Sequence, residues 1–143
     1  MYDKKKFVNS YISDAEHRYF LAKISFDKQN YHTVIRECQT LMELSVKALV
    51  FSLGRVIPNT HNLKDELNEI KDLLSESFQL NFDRIYKLAA KLRIERERAM
   101  YGDPDLNKLA SEIYDLDVAE KYLNETRFVL DLCKIELKNY LID

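Results

Sequence analysis

The sequence predicts an all-α fold, an up-and-down helical bundle of four long helices plus one short helix, in a single domain over residues 1–143. Three observations predict it. Only two glycines and two prolines punctuate 143 residues, and so few breakers favour long helices over strands and turns. Apolar residues recur in alternating steps of three and four, the spacing that keeps one helical face towards a partner. The chain is also long enough for one well-buried core, and nine tyrosines and seven phenylalanines supply its bulk without any tryptophan.

The first helix is expected from about Asp3 to Lys28, with Val8, Ile12, Ala15, Tyr19, Ala22 and Phe26 as its inner seam. Ser13 and Glu16 have capping-box spacing, but the seam already runs through Val8, so one long helix is preferred. Gln29-Asn30 breaks it. The second helix spans about Tyr31 to Leu53, turning Val34, Ile35, Cys38, Leu41, Met42, Ser45, Leu49 and Leu53 inward. Gly54 stands where a left-handed C-cap is wanted. Pro58 keeps the next residues out of a helix, and Thr60 is placed to cap a short third helix carrying His61, Leu63, Leu67, Ile70, Leu73 and Leu74. The fourth helix begins between Ser77 and Asp83 and ends near Tyr101, stopped by Gly102 and Pro104. Leu106, Leu109, Ala110 and Ile113 permit a further short helix. Asp117 and Glu120 read as the capping box of a fifth helix, about Val118 to Tyr140. Its seam is Leu116, Ala119, Leu123, Thr126, Leu130, Cys133, Leu137 and Tyr140, widened by Tyr122, Val129 and Ile135. A seam this broad packs inside a bundle.

Composition narrows the function classes. Net charge is −2, from 22 basic and 24 acidic residues, so any nucleic-acid contact has to be local rather than a generally basic surface. Cys38 and Cys133 are far apart and in no metal spacing, which reads as two buried free thiols. No apolar run reaches the length of a membrane span, and no signal-peptide core follows Lys4, Lys5 and Lys6. A cytoplasmic protein without membrane contact is expected. No glycine-rich phosphate loop, paired-histidine metal spacing or serine nucleophile motif is present, so no metal and no cofactor are expected. His17 and His32 stand among polar residues and read as solvated. His61, opening a helix, reads first as structural and second as an anion contact.

The most informative stretch is Leu92 to Pro104, with Arg93, Arg96 and Arg98 interleaved with Glu95 and Glu97 and closed by Met100-Tyr101-Gly102-Asp103. The seam Phe78, Phe82, Ile85, Ala89, Leu92 runs on through Arg96 to Ala99, so Arg96 falls at an apolar position. A guanidinium there needs an acid from a neighbouring helix, an escape along its stem, or a wet cleft. Contact with Glu43 or another acid of the same subunit would favour a purely structural arginine. A place in a dimer cleft would favour a functional one. Arg84, Lys87, Lys91 and Arg98 form a modest basic patch that reads as a solvated face. Arg98 also suits the negative end of the helix dipole. Glu95 and Glu97 point to different faces and make a poor acid–base pair.

Gln39, Glu43 and Lys47, stepping by four along the second helix, come before Gly54, His61-Asn62-Leu63 and the arginine stretch ending in Tyr101-Gly102-Asp103. From about Asp14 to Leu137 this order resembles the HEPN superfamily, the small helical domains named for higher eukaryotes and prokaryotes nucleotide-binding. The resemblance implies an up-and-down bundle that forms a homodimer. Many such domains are metal-independent ribonucleases whose motif is an arginine followed a few residues later by a histidine, two motifs meeting across the dimer cleft. Others pair with a minimal nucleotidyltransferase in toxin–antitoxin operons. By position Arg93 or Arg96 would be the motif arginine. No histidine lies between Arg93 and Pro104, and Ala99, Met100 and Tyr101 stand in its place, which resembles a branch lacking the motif histidine. Without an imidazole the usual acid–base group is missing, and Tyr101 would replace it only with a strongly lowered pKa. The resemblance therefore implies a binding module for a nucleotide, RNA or a partner nucleotidyltransferase, with Arg93, Arg96, Tyr101, Asp103 and His61 as contacts. A ribonuclease using Arg93, Arg96 and Tyr101 is the alternative, and a bundle without a ligand is the third.

Overall fold

The computed structural model describes residues 2–55 and 62–141. The helices are α1 (Lys4–Asp27), α2 (Tyr31–Ser52), α3 (Leu63–Ile70), α4 (Glu76–Gln79), α5 (Phe82–Tyr101), α6 (Ala110–Ile113) and α7 (Leu116–Leu137). Two 3-10 turns, Lys71–Leu73 and Pro104–Leu106, join them. This is the predicted all-α bundle, four long helices and a short α3, with the permitted short helix forming as α6 and a single-turn α4 added. Among the described residues no strand forms, and an isolated bridge pairs Asp103 with Lys108.

Local chemistry sets the boundaries. Asp3 caps α1 by accepting from the Lys6 N–H at 3.1 Å, so α1 is the one long helix its seam required. Gln29, at φ +60°, makes the turn into α2. The predicted Thr60 cap lies outside the described residues. Asn62 caps α3 instead, accepting from the Asp65 N–H at 3.0 Å. Gly102 closes α5 at φ +80°. The capping box assigned to Asp117 and Glu120 is corrected. Asp115 caps α7 by accepting from the Val118 N–H at 2.9 Å, two residues earlier than expected. Leu116 and Ile135, placed on the α7 seam, are exposed, because the first turn of α7 lies at the bundle edge and Ile135 turns away from α2.

The core is built around α2. It forms a tight antiparallel hairpin with α1 and packs on α7, α5, α3 and α6, so most of its residues are buried. Val34, Ile35, Met42 and Leu49 meet Ile85, Leu92, Val129 and Cys133 in one continuous cluster. Both cysteines are buried free thiols, as expected. Burial pushes Cys38 up to about 12, which makes it a small apolar side chain rather than a nucleophile. Among the described residues no helix is long and apolar enough to cross a membrane.

Candidate functional site

Packing α3 and α5 against the same end of α2 leaves an open cleft of about 830 Å³. Gln39, Glu43 and Lys47 reach it from one face of α2, since steps of four stay on one side of a helix. Gln39 Nε2 donates to Glu43 Oε1 at 2.9 Å. Lys47 Nζ donates to Glu66 of α3, whose side chain is only 3% exposed. That pair ties α3 to α2 beneath the cleft.

From α5 come Arg93, Ile94, Arg96, Glu97, Met100 and Tyr101. The arginine stretch thus faces the cleft with both candidate motif arginines and with Tyr101. Arg96 does not enter the core despite its seam position. Its guanidinium lies 3.8 Å from Glu43 of the same subunit, with the two side chains 66% and 43% exposed. This is the contact with Glu43 of the same subunit that favours a structural arginine, although such an open pair is weak. Arg93 has no hydrogen-bond or ion-pair partner among the described residues. Tyr101 is 77% exposed. Lys64 adds a further cation, lying over the Tyr86 ring at 5.4 Å.

The other predicted contacts go elsewhere. Asp103 is not part of the cleft wall. Its carboxylate caps the 3-10 turn, accepting from the Leu106 N–H at 3.2 Å, and lies 3.3 Å from Arg98 Nε. Arg98 also holds Glu95 at 3.0 Å, and the Tyr114 hydroxyl donates to the same carboxylate at 2.5 Å. Burial, then the bond to Glu95, pushes the Tyr114 pKa well up, so this network is a closed structural knot. His61 lies outside the described residues. The basic patch divides: Arg84, Lys87 and Lys91 line a different groove, and Arg98 belongs to the knot.

Lys64 and the Lys47–Glu66 pair of the cleft carry no mark in the sequence motifs. One signal for the pair lies outside those motifs. Glu66 sits between Leu63, Leu67 and Ile70 on the apolar face of α3, and an acid in that position needs a buried cation.

The cleft can grip a phosphate or carboxylate through guanidinium forks and offers an exposed ring for stacking. No imidazole lines it among the described residues, and of its carboxylates Glu43 and Glu66 are already engaged. Among the described residues no cluster of His, Cys, Asp and Glu is suited to a metal ion. A search of curated proteins gives no match. A family model described as the HEPN domain matches residues 8–136, from near the start of α1 to the last turn of α7, and so takes in α2, α3, α5 and every described residue of the cleft. The chain therefore belongs to the HEPN domain family.

Proposed function

We propose that this HEPN domain is a binding module, dimeric in solution, whose α2–α3–α5 cleft takes the phosphates of a nucleotide or RNA segment. The observation that carries the reading is the convergence of Arg93, Arg96 and Tyr101 on one cleft. Arg93 is unengaged among the described residues, Arg96 can leave Glu43 at little cost, and the exposed Tyr101 ring can take a base. HEPN domains are often dimeric. Ile94 and Met100 expose apolar surface at the cleft rim, where a second copy would cover it. A nucleotidyltransferase of a toxin–antitoxin pair is the protein partner we expect for such a module in the cytoplasm.

The test uses purified protein, a labelled single-stranded RNA and no added metal. Binding without cleavage is expected, weakened at least about tenfold by Arg93→Ala and less by Arg96→Ala. Sedimentation should report a dimer that Ile94→Asp splits. Metal-free cleavage that both arginine variants abolish would replace this reading with the ribonuclease reading and make Tyr101 the next residue to change. A folded protein that neither binds nor cleaves RNA would remove the nucleic-acid ligand.

A further inference from the structure

A second depression lies on the opposite side of α5. Arg84, Lys87, Leu88 and Lys91 of α5 face Val118, Lys121, Tyr122 and Glu125 of α7 across a groove of about 560 Å³. Both sets have the spacing i, i+3, i+4, i+7, so each is one straight stripe along its helix. At about 100° per residue, the α5 stripe points away from Arg93, Arg96 and Met100. The helices run antiparallel here. Arg84 holds Glu125 by two bonds of 3.1 Å at one end, and Glu95 meets Tyr114, just ahead of α7, towards the other. Both helices pack on α2 but scarcely on each other, which leaves the trough between them unfilled.

The floor is apolar, made by Leu88, Val118 and the Tyr122 ring. Lys87, Lys91 and Lys121 rise around it without an ion-pair partner among the described residues. Arg84 is engaged with Glu125 and lies 3.9 Å from the centre of the Phe128 ring.

We infer that this groove docks an acidic amphipathic helix of a partner protein. Two antiparallel ridges with an apolar trough between them are the surface a third helix packs into. A stripe of this spacing is about 10 Å long, or two helical turns. The occupant therefore presents one or two apolar anchors to the floor and Asp or Glu to the lysines on either side. A nucleic-acid backbone would leave the apolar floor unused and would meet the Glu125 carboxylate. A second copy packed symmetrically on the same groove would set lysine against lysine. The site is separate from the α2–α3–α5 cleft and does not depend on the function proposed for it.

The test is titration of the full chain with a panel of helix-stapled peptides of about 12 residues. Each carries Leu, Phe or Met anchors at i and i+4 and flanking glutamates, and each has a lysine-flanked counterpart. Fluorescence anisotropy gives the affinity, and amide chemical shifts locate the site. At least one acidic peptide should bind, its lysine counterpart should not, and shifts should cluster at 84–91 and 118–125. Lys87→Glu with Lys91→Glu should weaken binding at least about tenfold. Val118→Asp, at a position already 37% exposed and so expected to fold, should do the same. The inference is overturned if no acidic peptide binds, if Val118→Asp changes nothing, or if the shifts fall in the Arg93 cleft. Displacement of the peptide by oligouridylate at these same residues would assign the groove to RNA. Shifts there that depend on protein concentration alone would assign it to a second copy.

Discussion

Gly102 carries the tightest single-residue constraint. Its φ of +80° and ψ of −167° lie in a region open almost only to glycine. A Cβ there would come within 2.6 Å of the Lys108 carbonyl oxygen. That oxygen is backbone, pinned by the paired Asp103–Lys108 hydrogen bonds of 2.8 and 3.0 Å. Gly102→Ala should therefore destabilise by about 2–4 kcal/mol. Gly54, at φ +72° but with open space around it, should lose only about 1 kcal/mol on the same change. Urea denaturation of both variants checks this, and equal losses would mean that the Asp103–Lys108 turn gives way freely. The charged pairs of the cleft differ in the same manner. Arg96→Ala should cost under about 0.5 kcal/mol, because its contact with Glu43 is long and exposed. Glu66→Ala should cost about 2 kcal/mol, because it removes a buried partner of Lys47. Loss of ligand binding in Arg96→Ala could then be read as function rather than unfolding.

At the scale of elements, a staple near the C-terminus holds α4 to α7. The buried Glu136 carboxylate accepts from the Ser75 N–H at 2.9 Å, from the Ser75 hydroxyl at 2.5 Å and from the Tyr140 hydroxyl. Ser75 in turn caps α4, accepting from the Phe78 N–H at 3.3 Å. Glu136→Ala should cost about 2–3 kcal/mol and Tyr140→Phe about 1 kcal/mol. The double variant should cost less than their sum, because both remove the same bond. Additive losses in a denaturation series would show that the contacts act independently. The long helices could be read from the sequence because their seams are periodic, and α1 and α2 ended within a residue or so of expectation. Asp115 was missed because Asp117 offers a competing cap and the α7 seam alone does not fix where the first turn begins. The one-turn α4 is too short to show a period, whereas α6 forms inside the stretch from Leu106 to Ile113 that permitted a short helix. Arg93, Arg96 and Tyr101 were legible as a local cluster on one helix. Lys64 and the Lys47–Glu66 pair were not, because they join the site only when α3 folds against α2. Asp103 was misplaced for a related reason. A residue just past a helix end follows the loop, and here the loop turns it towards Arg98.

At the scale of the whole molecule, the titrating groups pull in opposite directions at the two ends of the pH range. Glu16 links α1 to α7 through Arg127 at 2.8 Å and Lys134 at 2.7 Å. The Arg127 hydrogen bond, assisted by Lys134, holds its pKa below the ordinary carboxylate range. A depressed folded pKa means stability that is present above about pH 4.5 and lost as pH falls through the folded value. The pair is partly exposed, so this acid limb should be shallow. On the alkaline side, burial raises Cys38, Cys133, Tyr114 and Tyr140, with Glu95 and Glu136 adding to the tyrosines. These groups stay protonated in the fold but ionise once unfolded, the thiols near pH 8.5 and the phenols near pH 10. A raised folded pKa means stability that is full below the unfolded value and lost as pH rises towards the folded one. The urea midpoint should therefore hold a plateau from about pH 5 to 8 and fall more steeply above pH 9 than below pH 5. Glu16→Gln should flatten the acid limb while leaving the alkaline one unchanged. Tyr140→Phe should do the reverse, lowering the plateau slightly and softening the fall above pH 10. A midpoint that stayed level from pH 9 to 11 would mean that water reaches these hydroxyls and thiols in the folded bundle, and that the helices around α2 pack more loosely than their burial implies.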